Sequence, residues 1–444
     1  MLEINEKNFP DIDFRKYISN TFDENKKGYL TQEEVEDVKE IHVCYERDIK
    51  SLKGIEYFLN LEVLDCSNTK ITELDLSHNP KLENLYCWNL NITSLDVSKN
   101  TALLYLNCSG TGITSLDVSK NTKLKELDCE STGITTLDLS NNTALLNLYC
   151  NNTGITELDV SKNIALLNLY CYSTGITELD VSKNMALKIL HCWNTGITSL
   201  DVSKNTSLDT LYCSNTEITS LDVSKNTKLE RLECYNTEIT ELDISNNLGL
   251  KELDCSDTGI ISLDVSNNSK LYELWCHDTK ITSLDVSHNP NLYCLDCNNS
   301  SQLLSLDVSN NPVLGVLLCG GTKITNLDVS NNTKLTDLCC ACTGITSLDL
   351  IDNKQLEYLN CNDSPQLTNL DVSNNTELQE LYCRDTGITE LDVSNNTKLN
   401  VFGNKDLYII RESESIQEKV NQAKDTLKNK PKDIKEVKSK ELER

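Results

Sequence analysis

The stretch LDVSKNTKLKELDCESTGIT, from Leu116 to Thr135, recurs with small changes every 21 residues over most of the chain. A fixed period of this length is typical of a solenoid, because so short a unit cannot bury its own apolar side and must stack on its neighbours. One cysteine marks each of sixteen units, at steps of 21 residues except for steps of 22 before Cys319 and Cys383. These residues form the cysteine ladder: Cys66, Cys87, Cys108, Cys129, Cys150, Cys171, Cys192, Cys213, Cys234, Cys255, Cys276, Cys297, Cys319, Cys340, Cys361 and Cys383.

The template LxxLxCxxTxITxLDVSxNxx predicts which side chains of each unit are buried and which face outward. Strand alternation directs the Leu and Cys of xLxCx into the core and the residues beside them outward. The second apolar pair, as in Leu116 and Val118, predicts an extended convex side that is too narrow for full helices. The Asp, Ser, Asn and Thr columns are turn formers, and we expect them to bond the local backbone.

The cysteine ladder is interpreted as packing. A thiol is a small, adaptable hydrophobe that fills an inward position. Stacked copies place their Cβ atoms near the strand spacing of ~4.8 Å, whereas a disulfide needs about 3.8 Å. Metal ligation is the alternative, but no His accompanies the ladder inside the core.

The template resembles the leucine-rich repeat, LxxLxLxxNxL, with Cys in place of the third Leu and Thr in place of the usual Asn. The resemblance covers about Leu52 to Phe402. It implies a repeat solenoid, a horseshoe of about 16 units with β-strands on the concave side and short extended or turn segments on the convex side. We divide the chain into a helical EF-hand-like cap (1–50), the leucine-rich-repeat solenoid (51–403) and a C-terminal cap helix with a charged tail (404–444).

Acidic residues dominate the charge of the chain. Its 444 residues include 68 Asp or Glu and 41 Lys or Arg, which gives a formal net charge of −27. That field repels phosphate backbones and anionic lipids, which argues against nucleic acid and membrane partners. No apolar run approaches the ~20 residues of a membrane-spanning helix, and the start lacks the basic and apolar regions of a signal peptide. We therefore expect a cytosolic protein, or a chain that begins at a mature boundary.

The outward positions beside the Leu and Cys of each unit vary, and they are rich in aromatic residues. Twelve aromatic residues, half of those in the chain, occupy them, with eleven acidic residues and only two basic ones, Arg231 and Arg384. Tyr and Trp add contact area at low entropy cost, which favours a recognition surface. The alternative is cross-strand stacking that only stabilises an exposed sheet. The predicted ligand-binding residues are Tyr86, Trp88, Tyr149, Tyr170, Tyr172, His191, Trp193, Tyr212, Tyr235 and Trp275.

The N-terminal segment DENKKGYLTQEE, from Asp23 to Glu34, matches the twelve-residue loop of an EF-hand. A capping box from Thr31 to Glu34 predicts the start of a helix. Lys27 stands at loop position five, where it removes an oxygen ligand and adds positive charge. We therefore expect calcium binding to be weak at most, and we predict no other cofactor. The candidate metal ligands are Asp23, Asn25, the Tyr29 carbonyl, Thr31 and Glu34.

An EF-hand-like cap that leads into LDVSxN repeats resembles the secreted or cell-surface leucine-rich-repeat proteins of bacteria, broadly internalin-like. The resemblance implies an extracellular, non-enzymatic recognition or adhesion module that binds a protein or a glycan. A cytoplasmic location is the alternative. A structural scaffold without a specific ligand and an ice-binding array of Thr residues are the alternative functions. None of the five His residues lies in a nucleophile or metal motif, so we predict no enzymatic activity.

Overall fold

Eighteen short parallel strands form one sheet along the concave side of the solenoid in a computed structural model, which describes residues 1–44 and 46–411. Two helices, α1 (Ile12–Phe22) and α2 (Gln32–Asp37), and a 3-10 turn (Ile55–Tyr57) lie near the N-terminus. The strands are β1 (Leu2–Glu3), β2 (Tyr29–Leu30), β3 (Glu40–His42), β4 (Val63–Asp65), β5 (Asn84–Tyr86), β6 (Tyr105–Asn107), β7 (Glu126–Asp128), β8 (Asn147–Tyr149), β9 (Asn168–Tyr170), β10 (Ile189–His191), β11 (Thr210–Tyr212), β12 (Arg231–Glu233), β13 (Glu252–Asp254), β14 (Glu273–Trp275), β15 (Cys294–Asp296), β16 (Val316–Leu318), β17 (Asp337–Cys339), β18 (Tyr358–Asn360), β19 (Glu380–Tyr382), β20 (Glu390–Asp392), β21 (Asn400–Phe402) and β22 (Tyr408–Ile410).

The sheet contains β3 to β19 followed by β21, and each strand pairs in parallel with the next strand in this order. The register aligns equivalent template positions, as in Leu190 opposite Leu211 and Leu211 opposite Leu232. Side chains at one template position therefore form a straight column, one residue per unit. Because parallel strands lie ~4.8 Å apart, neighbours in a column are close enough for their rings to stack.

The core follows the alternation predicted from the sequence. Leu232 and Cys234 are fully buried, while the residues beside them face outward. All sixteen ladder cysteines are at most 1% exposed, which confirms that they pack as small hydrophobes. They are free thiols. Burial raises the pKa of the Cys213 thiol well above its usual value, so the thiol is protonated and unreactive at neutral pH.

The Asp and Thr columns bond the local backbone, as predicted. In one unit the Asp222 carboxylate accepts a hydrogen bond from the Ser224 amide at 2.8 Å. In the same unit the Thr216 hydroxyl donates to the Cys213 carbonyl at 2.7 Å. These bonds shape the two turns of each unit.

The expectation of local bonding is wrong for the Asn column, which links neighbouring units. The Asn268 side-chain amide donates to two carbonyls of the preceding unit, those of Ile244 at 3.2 Å and Asn247 at 2.9 Å. The reason is burial: Asn268 is 0% exposed and projects into the stack, where its amide adds a second hydrogen bond to carbonyls that already accept a backbone amide. The Asn column thus stabilises the stacking itself.

The convex side consists of turns and extended segments, as predicted. Its apolar pair, such as Leu221 and Val223, is buried. Among the described residues its regular structure is limited to the β20–β22 pair and one isolated bridge, Asp285 to Asp307. No helix in the described ranges is long and apolar enough to cross a bilayer.

The sheet has one strand more at each end than the cysteine ladder indicates. The first, β3, lies within residues 1–50 and is followed by the buried Val43 in place of a ladder cysteine. The last, β21, is followed by Gly403. Most of the predicted C-terminal cap helix and tail lies outside the described residues, which end at 411.

The N-terminal segment is tied to the first units of the solenoid. Asp11 caps helix α1 through the Phe14 amide at 2.9 Å, and its other oxygen accepts the Lys50 amide at 2.8 Å. The Tyr17 hydroxyl accepts the amide of His42, in β3, at 3.0 Å. Helix α1 is thereby fixed against the start of the sheet.

Candidate functional site on the concave face

An aromatic strip crosses strands β8 to β11 on the concave face. Its longer stack uses the last residue of each strand, with ring-centroid distances of 4.8, 4.6 and 4.3 Å between successive members. In the shorter stack, the rings of Tyr172 and Trp193 are 4.3 Å apart and 10° from parallel. The members of the strip are Tyr149, Tyr170, Tyr172, His191, Trp193 and Tyr212.

The strip is uncharged and only partly covered. Its six side chains are all intermediate in exposure, so each keeps part of its surface open to solvent. Burial lowers the pKa of His191 to about 4, so its imidazole is neutral at pH 7. It stacks on Tyr212 at 18° and meets Tyr170 edge-on at 72°. Each stacked pair contributes about 0.5–1.5 kcal/mol beyond its buried area, which also rigidifies the surface.

Four of the predicted binding residues stand apart from the strip. Tyr235 is separated from Trp193 by Ser214, whose hydroxyl accepts the Tyr235 amide at 3.1 Å. Tyr86 and Trp88 belong to the unit of β5, with β6 and β7 between them and the strip. Trp275 is aligned between Asp254 and Asp296 and has no aromatic neighbour in its column.

An acidic patch adjoins the strip on strands β12 to β15. Its members are Glu233, Glu252, Asp254, Glu273 and Asp296. Glu252 pairs with Arg231 at 3.1 Å. Within the described ranges, none of the other four carboxylates lies within 4.0 Å of a Lys, Arg or His nitrogen. The patch therefore carries negative charge that Arg231 and the nearby His277 offset only in part.

Partial burial disfavours the charged form of four of these carboxylates and so raises the pKa of each. Burial, followed by the nearby charges of Asp254 and Glu252, raises the pKa of Glu233 to about 7. Burial likewise raises the pKa values of Asp254 and Asp296. On the other side of the strip, burial raises the pKa of Asp128 to about 6.

Strip and patch share one column of the sheet. Tyr212, at the end of the longer stack, is aligned with Glu233, and Glu233 with Asp254. At the other end of that stack, Tyr149 is aligned with Asp128. The concave face thus presents a neutral aromatic centre with carboxylates on both sides.

A histidine borders the patch at the exit of β14. His277 Nδ1 lies 3.0 Å from Asp278 Oδ2, and ligand atoms of Asp257, His277 and Asp278 lie within 4.8 Å of one another. Burial lowers the pKa of His277, but the Asp278 hydrogen bond and the surrounding carboxylates raise it above its ordinary value overall. The imidazole is thus drawn toward the protonated form by the acidic surroundings.

Sequence reasoning missed exposed aromatic stacks outside the predicted set, among them Tyr382 on Phe402 at 4.5 Å and 12°. Tyr272 and Tyr293 stack at 5.2 Å and 7°, and they are 45% and 36% exposed. Gly315 occupies the same template position in the next unit. A Cβ atom there would lie 2.3 Å from the Tyr293 ring, so only glycine leaves room for the ring in this position. The available signal was two tyrosines at the same template position, four residues before consecutive ladder cysteines.

In the EF-hand-like loop, a lysine contacts the predicted calcium ligands. Lys27 Nζ lies 2.8 Å and 3.0 Å from the two carboxylate oxygens of Glu34. The Asp23 carboxylate accepts the amides of Lys27 at 2.9 Å and Gly28 at 2.8 Å. The loop therefore holds a tethered cation, which calcium would have to displace.

The other predicted ligands of this loop have structural contacts as well. Thr31 and Glu34 form the predicted capping box of α2, which is confirmed. Tyr29 lies in β2 and is aligned with Glu3 of β1 in an antiparallel pair. The structure gives no contact that would distinguish Asn25 as a ligand.

An open parallel sheet built from 21-residue units, with a continuous Leu and Cys core, defines a leucine-rich-repeat protein. The chain is similar to the functional domain of InlJ from Listeria monocytogenes, which includes a cysteine ladder. The two are 32% identical, with a TM-score of 0.70, and the match covers 90% of this chain and 78% of that domain's chain. The chain belongs to the internalin family of leucine-rich-repeat proteins.

Two other solved structures share the fold at lower identity. The internalin InlF of Listeria monocytogenes is 22% identical, with a TM-score of 0.62, over 81% of this chain and 97% of that one. The plant peptide hormone receptor RGFR1, in complex with RGF2, is 14% identical, with a TM-score of 0.55, over 80% and 76%. No protein-family model matches the chain, and no curated protein sequence matches it.

Proposed function

We propose that the protein is a non-enzymatic recognition module that binds a protein partner through the aromatic strip, and that it acts in adhesion at the cell surface or after secretion. The observation that carries the proposal is the strip itself: six contiguous rings, uncharged and partly exposed, in the variable positions of otherwise uniform units. Membership of the internalin family supports the location, and the peptide complex of RGFR1 supports a polypeptide as the ligand.

The chemistry of the strip suits a protein interface. Tyr and Trp are enriched among the residues that dominate binding energy, and such residues cluster near the centre of an interface. The rings are already stacked, so little side-chain entropy is lost when a partner covers them. The strip would form the centre of a standard interface, with the surrounding polar residues as its rim.

The test is a binding screen of the purified chain against arrayed extracellular proteins and glycans. The variant Tyr170→Ala/Trp193→Ala removes one ring from each stack of the strip. The matched control, Tyr272→Ala/Tyr293→Ala, removes an exposed stack outside it. We expect a protein ligand whose affinity falls about 100-fold in the first variant, as for hot-spot residues, and little in the control.

Three outcomes contradict the proposal. A ligand that binds both variants equally places the site elsewhere, and a glycan as the sole ligand replaces the class of partner. No ligand at all, with both variants less stable than the wild type, shows that the rings only brace the sheet.

A further inference from the structure

Resting on the proposed function, we infer that the partner docks an extended segment rich in Lys or Arg, whose basic side chains lie against the acidic patch while its neighbouring residues cover the aromatic strip.

Charge complementarity carries the inference. The patch holds five carboxylates on four successive strands, and Arg231 is the basic side chain paired with one of them. Glu233 is aligned with Asp254, so two acidic side chains lie side by side without a cation between them. Basic side chains inserted there gain charge-assisted hydrogen bonds and relieve this repulsion.

The continuity of strip and patch favours a polypeptide over a small cation. The column from Tyr149 to Asp296 crosses eight strands, β8 to β15. At a spacing of ~4.8 Å the eight strands span roughly 34 Å, which about ten residues of extended chain would cover. Alternate side chains of such a segment point to the same face, so lysines at every second position all reach the sheet.

The aromatic half of the column accepts the same chemistry. The faces of Tyr and Trp rings attract ammonium and guanidinium groups. Since Tyr212 is aligned with Glu233, one basic side chain at that junction contacts a ring and a carboxylate together. A basic segment is therefore accommodated along the whole column.

The inference is tested with synthetic peptides of about ten residues, long enough to span the column. The probe alternates lysine with serine; its counterparts replace lysine by arginine or by glutamate, and spermine serves as a cation without a backbone. Calorimetry uses the full chain at about 0.15 M salt, where long-range attraction is screened. The basic peptides are expected to bind, and the glutamate peptide and spermine are expected to bind at least about 10-fold more weakly, a difference of about 1.4 kcal/mol.

Two variants with the same change in charge separate the patch from the overall charge of the chain. The patch variant is Glu233→Gln/Asp254→Asn/Asp296→Asn, whose amides keep the acceptor oxygens. The control is Glu157→Gln/Glu178→Gln/Glu241→Gln, three exposed residues away from the concave strands. We expect the patch variant to lose at least about 10-fold in affinity for the lysine peptide, and the control less than about 2-fold.

The outcomes distinguish this inference from the proposed function. If the lysine peptide binds both variants equally weakly, only the net charge of the chain attracts it. If spermine binds as tightly as the peptide, the site does not recognise an extended chain. Either result overturns the inference. A protein partner that is lost in Tyr170→Ala/Trp193→Ala but retained in the patch variant overturns the inference and leaves the proposed function standing. Loss of the lysine peptide and of the protein partner in the patch variant, with both retained in the control, establishes the inference.

Discussion

Two carboxylates with the same hydrogen bond behave in opposite ways on the two sides of the solenoid. Asp222, in a turn, accepts the Ser224 amide at 2.8 Å, and this interaction with Ser224 lowers its pKa. Asp254, on the concave face, accepts the Ser256 amide at 3.0 Å, yet burial raises its pKa. The bond is the same, so the environment makes the difference: Asp222 is exposed, while Asp254 is partly buried beside other carboxylates.

The comparison separates residues that build the solenoid from residues available for binding. Turn carboxylates are stabilised by the backbone they organise, and they recur in nearly every unit. Four patch carboxylates, Glu233, Asp254, Glu273 and Asp296, are destabilised in their charged form, so the fold would be more stable without their charges. Positions that cost stability and vary between units are typical of functional surfaces.

The largest effect on stability is expected for Asn268→Ala, which changes a buried residue of a turn. This substitution removes the side-chain donor from the carbonyls of Ile244 and Asn247, each of which keeps one backbone amide as a donor. We expect a loss of about 1–3 kcal/mol in the free energy of unfolding, since each of the two lost hydrogen bonds contributes about 0.5–1.5 kcal/mol. Urea unfolding followed by circular dichroism measures it. The exposed neighbour provides the control, Asn267→Ala; similar losses in both would show that the Asn column does not stabilise the stacking.

On the concave face, Glu233→Gln should stabilise the fold at alkaline pH. The charges that face Glu233 are those of Glu252 and Asp254, and Tyr212 contacts it by a hydrogen bond. The pKa of Glu233 is raised from 4.5 to about 7 in the folded state. Ionised Glu233 therefore destabilises the fold, and this destabilisation is absent below pH 4.5 and fully present above pH 7. We expect a gain of about 1–2 kcal/mol at pH 8, reduced from the full linkage value because the side chain is partly solvated.

The gain should shrink as the pH falls and vanish near pH 4, which unfolding experiments across this range would detect. The exposed variant Glu157→Gln is the control and should show no such trend. A gain that is independent of pH would mean that Glu233 is not held in the strained charged state that the patch requires.

A smaller loss is expected for Asp222→Ala, which removes the acceptor of the Ser224 amide. The lost hydrogen bond costs about 0.5–1.5 kcal/mol. Since the pKa of Asp222 is lowered in the fold, its charged form contributes stability above pH 3.8, and that contribution is lost as the pH falls below it. Thermal unfolding at pH 7 and pH 3 measures both effects. Asp222→Asn keeps an acceptor oxygen, and a loss as large as that of Asp222→Ala would refute the role of this bond.

The smallest effect on the fold concerns a carboxylate balanced by a side chain, Glu34 in the EF-hand-like loop. The hydrogen bond from Lys27 lowers the pKa of Glu34. Lys27→Asp removes the tethered cation and supplies an oxygen ligand at loop position five. We expect the melting temperature of this variant, but not that of the wild type, to rise in millimolar calcium. A rise in the wild type instead would show that calcium displaces Lys27.

The period and alternation of the sequence were enough to predict the sheet, the Leu and Cys core and the turn bonds of Asp and Thr. The two end strands were missed because Val43 and Gly403 break the cysteine pattern while keeping its spacing nearly intact. The Asn column was misjudged because turn propensity describes local bonding, whereas burial between stacked units decides its partners.

The site was less predictable than the fold. The aromatic strip could be predicted from the repeat alone, because residues at the same template position of successive units become neighbours in the sheet. The separate positions of Tyr86 and Trp275, and the seat that Gly315 provides for Tyr293, depend on which residues occupy the adjacent units. The raised pKa of Glu233 requires partial burial and like charges together, and neither is visible in the local sequence.

The buried cysteine ladder has a consequence for the life of the chain before it folds. Folded, its thiols are protonated and shielded, so an oxidising or a reducing medium leaves them unchanged. Unfolded, the same chain exposes twenty cysteines that can cross-link in the wrong combinations. Each unit that docks on the growing stack buries one thiol and so removes it from disulfide exchange. In an oxidising compartment, the rate of folding therefore determines what fraction of the protein reaches the folded state without wrong disulfides.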